Sequence, residues 1–210
     1  MSFLWVYGII LIISFFICYF LEPLAIKFAL KKGIIDNPNQ DDRRVHKKAT
    51  PRVGGLAIII SVMSSLVIFY IASLFHEKLK VDNRLLGYIL SALVIGIMGL
   101  LDDIKDIKPM QKFLFQIIAA TIVYIFGIGV VGVKIPFIYN KLIDFGIFAY
   151  PITVLWLLAI TNAVNLIDGL DGLAAGISNI SAISLLVIFA IIGAPMEVMV
   201  IAVALVGATL

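Results

Sequence analysis

Residues 53–75 read VGGLAIIISVMSSLVIFYIASLF, twenty-three positions without an Asp, Glu, Lys, Arg or His. An uncharged run of about 17–25 residues is long enough to cross a ~30 Å hydrocarbon core as a helix rising ~1.5 Å per residue. The same pattern recurs over 3–21, 85–101, 113–133, 145–167 and about 173–196. A seventh apolar run begins near 198 and is still apolar at Leu210; its 13 residues are too few to span, so the chain is expected to be cut inside a helix. The fold class predicted is an all-α polytopic integral membrane protein. It has six full transmembrane helices and a truncated seventh, forming one membrane domain over 1–210 that is incomplete at its C-terminus.

The composition agrees. Of 210 residues, 62% are apolar and 14% charged, against about 25% charged in an ordinary soluble domain. Mean hydropathy is +1.14. Soluble, disordered and fibrous classes are excluded. Sixteen Lys+Arg against thirteen Asp+Glu leave a net charge of +3, too small an excess to argue for nucleic acid. The single cysteine, Cys18, rules out a disulfide framework and any CxxC site. Lying in an apolar run, it reads as a small buried or lipid-facing residue.

The first run has no basic residue before it and no small-residue cleavage site, so it is not a signal peptide. Glu22-Pro23 is a candidate kink, but 24–32 continues as helix, with Gly33 as its C-cap and Asn37-Pro38 as a turn. Orientation follows Lys and Arg. Loop 22–52 holds Lys27, Lys31, Lys32, Arg43, Arg44, Lys47, Lys48 and Arg52; loop 102–112 holds Lys105, Lys108 and Lys112; loop 168–172 holds none. The opposite side has Lys78, Lys80, Arg84, Lys134 and Lys141. Eleven against five places the N-terminus outside and these three loops in the cytoplasm.

The same three loops carry the unusual residues. RRVHKKATPRVGG, 43–55, is basic and ends in two glycines. It is either a positive-inside signal that meets anionic head groups, or an anion site in which Gly54 and Gly55 bring backbone N–H groups close to a phosphate. His46 alone is weak evidence. GLLDDIKD, 99–106, puts Asp102 and Asp103 at the end of an apolar span, where they need water, a cation or a basic partner. Asp102 and Asp106 would share a face of any continuing helix. The plain alternative is an interfacial helix cap with Lys105 as counter-ion. In NAVNLIDGLDGLAAG, 162–176, Asn162, Asn165, Asp168 and Asp171 recur every three residues, a strip of amides and carboxylates with no basic residue nearby. A basic, glycine-ended loop and two acidic clusters on one face suit transfer of a phosphorylated group. Basic residues and amides hold phosphates, and Mg²⁺ takes carboxylates together with phosphate oxygens. No P-loop, HExxH or Ser-His-Asp pattern is present.

These three strings, with Lys112 and Gln116 following the aspartates, resemble the polyprenyl-phosphate N-acetylhexosamine-1-phosphate transferases of glycosyltransferase family 4. The nearer likeness is to the bacterial branch that starts teichoic acid, O-antigen or enterobacterial common antigen chains. The resemblance implies a multi-pass enzyme of the bacterial cytoplasmic membrane. It would convert UDP-GlcNAc and undecaprenyl phosphate into undecaprenyl-diphosphate-GlcNAc and UMP. Mg²⁺ is the implied cofactor, with Mn²⁺ as an alternative; the lipid bilayer is a partner, and a homodimer is left open. Asp102 and Asp103 match the catalytic aspartate pair. Asn165, Asp168, Asp171 and Lys112 match substrate-binding positions, with His46, Arg52, Gly54 and Gly55 in the basic loop, and Asp102 and Asp168 are the expected metal ligands. The family's Met-Gly-Asp-Thr-Gly-Ser-like segment and its histidine-rich loop are absent from 1–210, so these residues alone are expected to be inactive. Direct attack by the lipid phosphate is favoured, with a route through an aspartyl-phosphate left open. The nearest rival activity is transfer of phospho-MurNAc-pentapeptide to the same lipid, whose enzymes typically read Thr-Pro-Thr-Met-Gly-Gly where this chain has Thr-Pro-Arg-Val-Gly-Gly. A transporter component is the rival from another class. It would place ionisable groups near the midplane of its helices, whereas here they sit at span ends.

Overall fold

The computed structural model describes residues 4–36, 50–51, 53–79, 81–135, 139–168 and 172–210. Among the described residues seven α-helices carry the fold. The first, α1 (Leu4–Lys32), runs on past Pro23 and stops where Gly33 turns to φ +70°, with Ile34 N–H donating to Ala29 O at 3.0 Å. A two-residue antiparallel pair, β1 (Ile35–Asp36) with β2 (Thr50–Pro51), ties its end to the start of α2 (Gly54–Phe75). Next come α3 (Arg84–Lys105), α4 (Pro109–Ile125) and the antiparallel hairpin of β3 (Gly132–Ile135) and β4 (Tyr139–Asp144). The chain continues through α5 (Ala149–Ile167), α6 (Leu173–Ile192) and α7 (Met196–Thr209).

Five of these segments are long and apolar enough to cross a membrane: α1, α2, α3, α5 with the turn before it, and α6. The protein is therefore an all-α, multi-pass membrane protein. Among the described residues α4 and α7 are shorter apolar helices of 17 and 14 residues, so five segments have spanning length and the expected count of six with a truncated seventh is not confirmed. The run 113–133 shows why. Its helix starts earlier, with Pro109 in the first turn and Lys108 N–H donating to Gln111 Oε1 at 3.0 Å, and it stops at Ile125. Gly127 then adopts φ +81°. A Cβ on Gly132 would lie 2.6 Å from Ile143 O, so only glycine admits the β4 strand there. Hydropathy reads side chains as apolar whether their backbone is helix, turn or strand.

The innermost helix is α7, packed by α1, α2 and α6. Val200 and Ala204 are fully buried. Ser14 Oγ donates to Ala204 O at 2.6 Å, and a Cβ on Gly207 would lie 2.5 Å from Leu11 O. Two other hydroxyls inside the bundle are satisfied on their own helix: Ser65 and Ser73 donate to Ser61 O and Tyr70 O at 2.8 and 2.7 Å. The other half stacks α3, α4 and α5, joined to the first through α2. Large apolar side chains such as Leu155, Trp156, Ile180 and Ile191 point outward, a surface suited to acyl chains.

Short connections and contacts between helix ends make successive helices reverse direction: Asp36 pairs with Thr50 between α1 and α2, Lys112 early in α4 meets Asp102 late in α3, and Gln116 in α4 meets Asn162 late in α5. The C-terminal ends of α1, α3 and α5 and the N-terminal ends of α2, α4 and α6 therefore gather at one end of the bundle. Contacts at the far end agree: a Cβ on Gly87, early in α3, would meet Phe126 Cβ just past α4. Thr121 Oγ1 and Tyr150 Oη are 3.0 Å apart between the end of α4 and the start of α5.

Candidate functional site

The acidic turn forms because α3 ends abruptly. Asp106 is left-handed (φ 46°, ψ 69°), and its backbone N–H donates to Asp102 O at 2.9 Å, closing the helix at Lys105. Asp106 thus leaves the helix, and the face that Asp102 and Asp106 were expected to share is not built. Three residues later α4 begins and brings Lys112 back alongside. Its Nζ donates to Asp102 Oδ2 at 2.7 Å, with the two side chains 29% and 28% exposed. Asp102 Oδ1 is covered and has no hydrogen-bond partner among the described residues. Asp103 is half-buried in the same last turn. Two carboxylates at a helix C-terminus oppose its dipole, and Lys105 and Lys112 offset them.

The second cluster is the C-terminal end of α5. Asn165 and Asp168 are exposed, and Asp168 is the cap, its N–H donating to Val164 O at 3.2 Å. Asn162 departs from the strip. Its Nδ2 donates to Gln116 Oε1 at 2.9 Å and to Leu158 O at 2.8 Å, while Gln116 Nε2 donates to Asn162 Oδ1 at 3.4 Å. Nothing in the sequence pairs these amides, although a Gln inside the apolar run 113–133 signals that a partner is needed. Gly172 (φ +76°) opens α6 and accepts Gly176 N–H at 2.8 Å.

Gly54 and Gly55 form the first turn of α2. Both are exposed, and a Cβ on either meets nothing within 4 Å. Their N–H groups lie in the first turn, where a helix can meet an anion, while Leu56 N–H donates to Val53 O at 3.1 Å. His46, Arg52 and Asp171 lie outside the described residues. Of the expected site, the structure therefore brings Asp102, Asp103 and Lys112 together at one turn. It sets Asn165, Asp168, Gly54 and Gly55 at the same end of the bundle.

Among the described residues no three His, Cys, Asp or Glu side chains converge on one point. The donor chemistry nevertheless fits a hard cation: Asp102 Oδ1 is a covered carboxylate oxygen with no donor facing it among the described residues, the ligand type Mg²⁺ selects.

The family model for glycosyl transferase family 4 matches residues 85–210, which contain both acidic clusters. The chain belongs to glycosyl transferase family 4. It is 34% identical over 155 residues to a probable undecaprenyl-phosphate N-acetylglucosaminyl 1-phosphate transferase of Bacillus subtilis (strain 168), covering 74% of this chain and 40% of the relative. A putative UDP-N-acetylglucosamine–dolichyl-phosphate N-acetylglucosaminephosphotransferase of Saccharolobus solfataricus is 31% identical over 157 residues, 74% of this chain and 46% of that protein. A phospho-N-acetylmuramoyl-pentapeptide-transferase of Streptococcus pneumoniae (strain Hungary19A-6) is 30% identical over 210 residues, 95% of this chain and 62% of that protein. This family member thus spans 40–62% of the length of these relatives.

Proposed function

We propose that the protein transfers GlcNAc-1-phosphate from UDP-GlcNAc to undecaprenyl phosphate, releasing UMP, as the first membrane step of a cell-envelope polysaccharide or teichoic acid. The observation that carries this reading is the Asp102–Lys112 turn, with its covered Oδ1, at the same end of an apolar bundle as Asn165 and Asp168. A lipid phosphate and a sugar nucleotide meet at such a membrane edge. The 34% identical relative is named for this chemistry.

The lipid phosphate is largely dianionic near neutral pH and is itself the nucleophile. One of its oxygens forms a bond to the β-phosphorus of UDP-GlcNAc. The bond from that phosphorus to the bridging oxygen breaks, and UMP leaves with the oxygen. Asp103 orients the attacking phosphate and takes its residual proton where one is present. Lys112 fixes the Asp102 carboxylate and screens it from the incoming anions. The first turn of α2, with Gly54 and Gly55, offers backbone N–H groups to a phosphate, and Asn165 and Asp168 hold the nucleotide side. Mg²⁺, held by Asp102 and Asp168, would supply charge neutralisation for the leaving UMP; Mn²⁺ is the alternative ion.

In the same proposal all seven helices form one domain in the bacterial cytoplasmic membrane, with the N-terminus outside and loops 22–52, 102–112 and 168–172 inside. Transfer of phospho-MurNAc-pentapeptide is the second reading, favoured by the pneumococcal relative's 95% coverage of this chain. Thr50-Pro51-Arg52-Val53-Gly54-Gly55 weighs against it. Membranes carrying the full-length protein, given undecaprenyl phosphate, Mg²⁺ and either sugar nucleotide, decide the matter. UMP release with UDP-GlcNAc alone is the expected result. Release with UDP-MurNAc-pentapeptide alone moves the assignment to the second reading, and release with neither overturns both.

A further inference from the structure

We infer that Gln116 and Asn162 are positioning residues: an amide clasp inside the membrane that sets the Asn165–Asp168 end of α5 against the Asp102–Lys112 turn. The inference rests on the transfer reaction proposed above and concerns what holds its two halves together.

Place in the helices comes first. Gln116 lies four residues after Lys112 on α4, so the two share a face and Gln116 sits about 6 Å deeper. Asn162 lies three residues before Asn165 and six before Asp168, about 4.5 and 9 Å deeper along α5. The clasp is therefore one turn beneath the site, directly under both acidic clusters.

Bonding comes second. The two amides engage each other reciprocally, and Asn162 also donates to Leu158 O on its own helix. Gln116 is 5% exposed. Away from water an amide that loses its partner has no substitute, so the pair selects one register of α5 along α4. Apolar contacts alone tolerate a slide of an ångström, while a reciprocal amide pair does not.

Support from elsewhere comes third. The far end of α5 is held by Tyr150 against Thr121 and Tyr124, and by Thr153 Oγ1, which accepts Val130 N–H at 2.9 Å. Its motif end leans on α4, because α6 packs chiefly on α7. The amide pair is thus placed where α5 most needs a fixed register. Misplacement of reacting groups by about 1 Å costs turnover on the order of 100-fold.

A length-balanced exchange tests the clasp in full-length protein. Gln116→Asn shortens it by one methylene and Asn162→Gln lengthens it by one, while the double exchange restores the total. Each single variant should lower kcat for UMP release by about 10–100-fold and leave KM for UDP-GlcNAc within about threefold. The double exchange should return kcat to within about threefold of the parent. Singles with parental kcat, losses confined to KM, or a double exchange no better than the worse single would each overturn the inference while leaving the reaction in place. Lower melting temperatures of the singles without a kcat change would make the pair structural only, and also overturn it. A parent protein that releases no UMP overturns the reaction, and the clasp's role with it.

Discussion

Asp102 shows how one carboxylate divides its two oxygens: Oδ2 is held by Lys112 Nζ at 2.7 Å, while Oδ1 is covered and faces no donor among the described residues. Replacing Lys112 with Met leaves a covered carboxylate uncompensated. The expected cost is about 1–3 kcal/mol of stability, with UMP release falling at least ~100-fold; thermal melting in detergent and the UMP assay check the two parts. Asp103→Asn should likewise lower kcat at least ~100-fold. Asp106→Asn should stay within about threefold of the parent, because Asp106 closes α3 through its backbone N–H and Asn also tolerates the left-handed region. Equal losses at 103 and 106 would contradict this division of roles. The aspartates are legible in the sequence because charge at the end of an apolar run is costly. Their pairing is not, since it depends on the turn at Asp106 that folds α4 back on α3.

Helix α4 is the element least legible in the sequence. For α1, α2, α3, α5 and α6 the uncharged runs coincide with the helices to within a turn or so, once 24–32 is added to the first. The run 113–133 instead divides at Ile125, because Gly127, Gly129 and Gly132 let the chain turn and admit close neighbours that apolar periodicity does not register. The same blindness hides which glycines matter inside helices. Gly207→Ala would push a Cβ to 2.5 Å from Leu11 O, a backbone atom. It should destabilise by about 1–3 kcal/mol, seen as a lower melting temperature in detergent. Gly176→Ala on exposed α6 meets nothing within 4 Å and should be neutral, or stabilising by up to about 1 kcal/mol. Indistinguishable melting of the two variants would remove the α1–α7 contact from the packing described above.

The whole molecule is a bundle with a chemical end and a plain end. If the basic asymmetry orients it as proposed, a cysteine at Glu77 is reachable by an impermeant thiol reagent in intact cells, and one at Lys105 only after permeabilisation. Both positions are exposed, and Cys18→Ser removes the sole native thiol. The reverse labelling would turn the site to the outside, away from sugar nucleotides. What the sequence leaves unreadable at this scale is adjacency. Contacts such as Gln116–Asn162 or Ser14–Ala204 join residues that no local pattern connects. The second of these has a consequence for biogenesis. Ser14 and Ala204 are 190 residues apart, and ribosomes add about 5–20 residues per second. The first helix therefore enters the bilayer some 10–40 s before its central partner exists. During that interval α2 can already pack on the first helix, but the Ser14 hydroxyl lacks its acceptor on α7 and must find another partner until α7 docks.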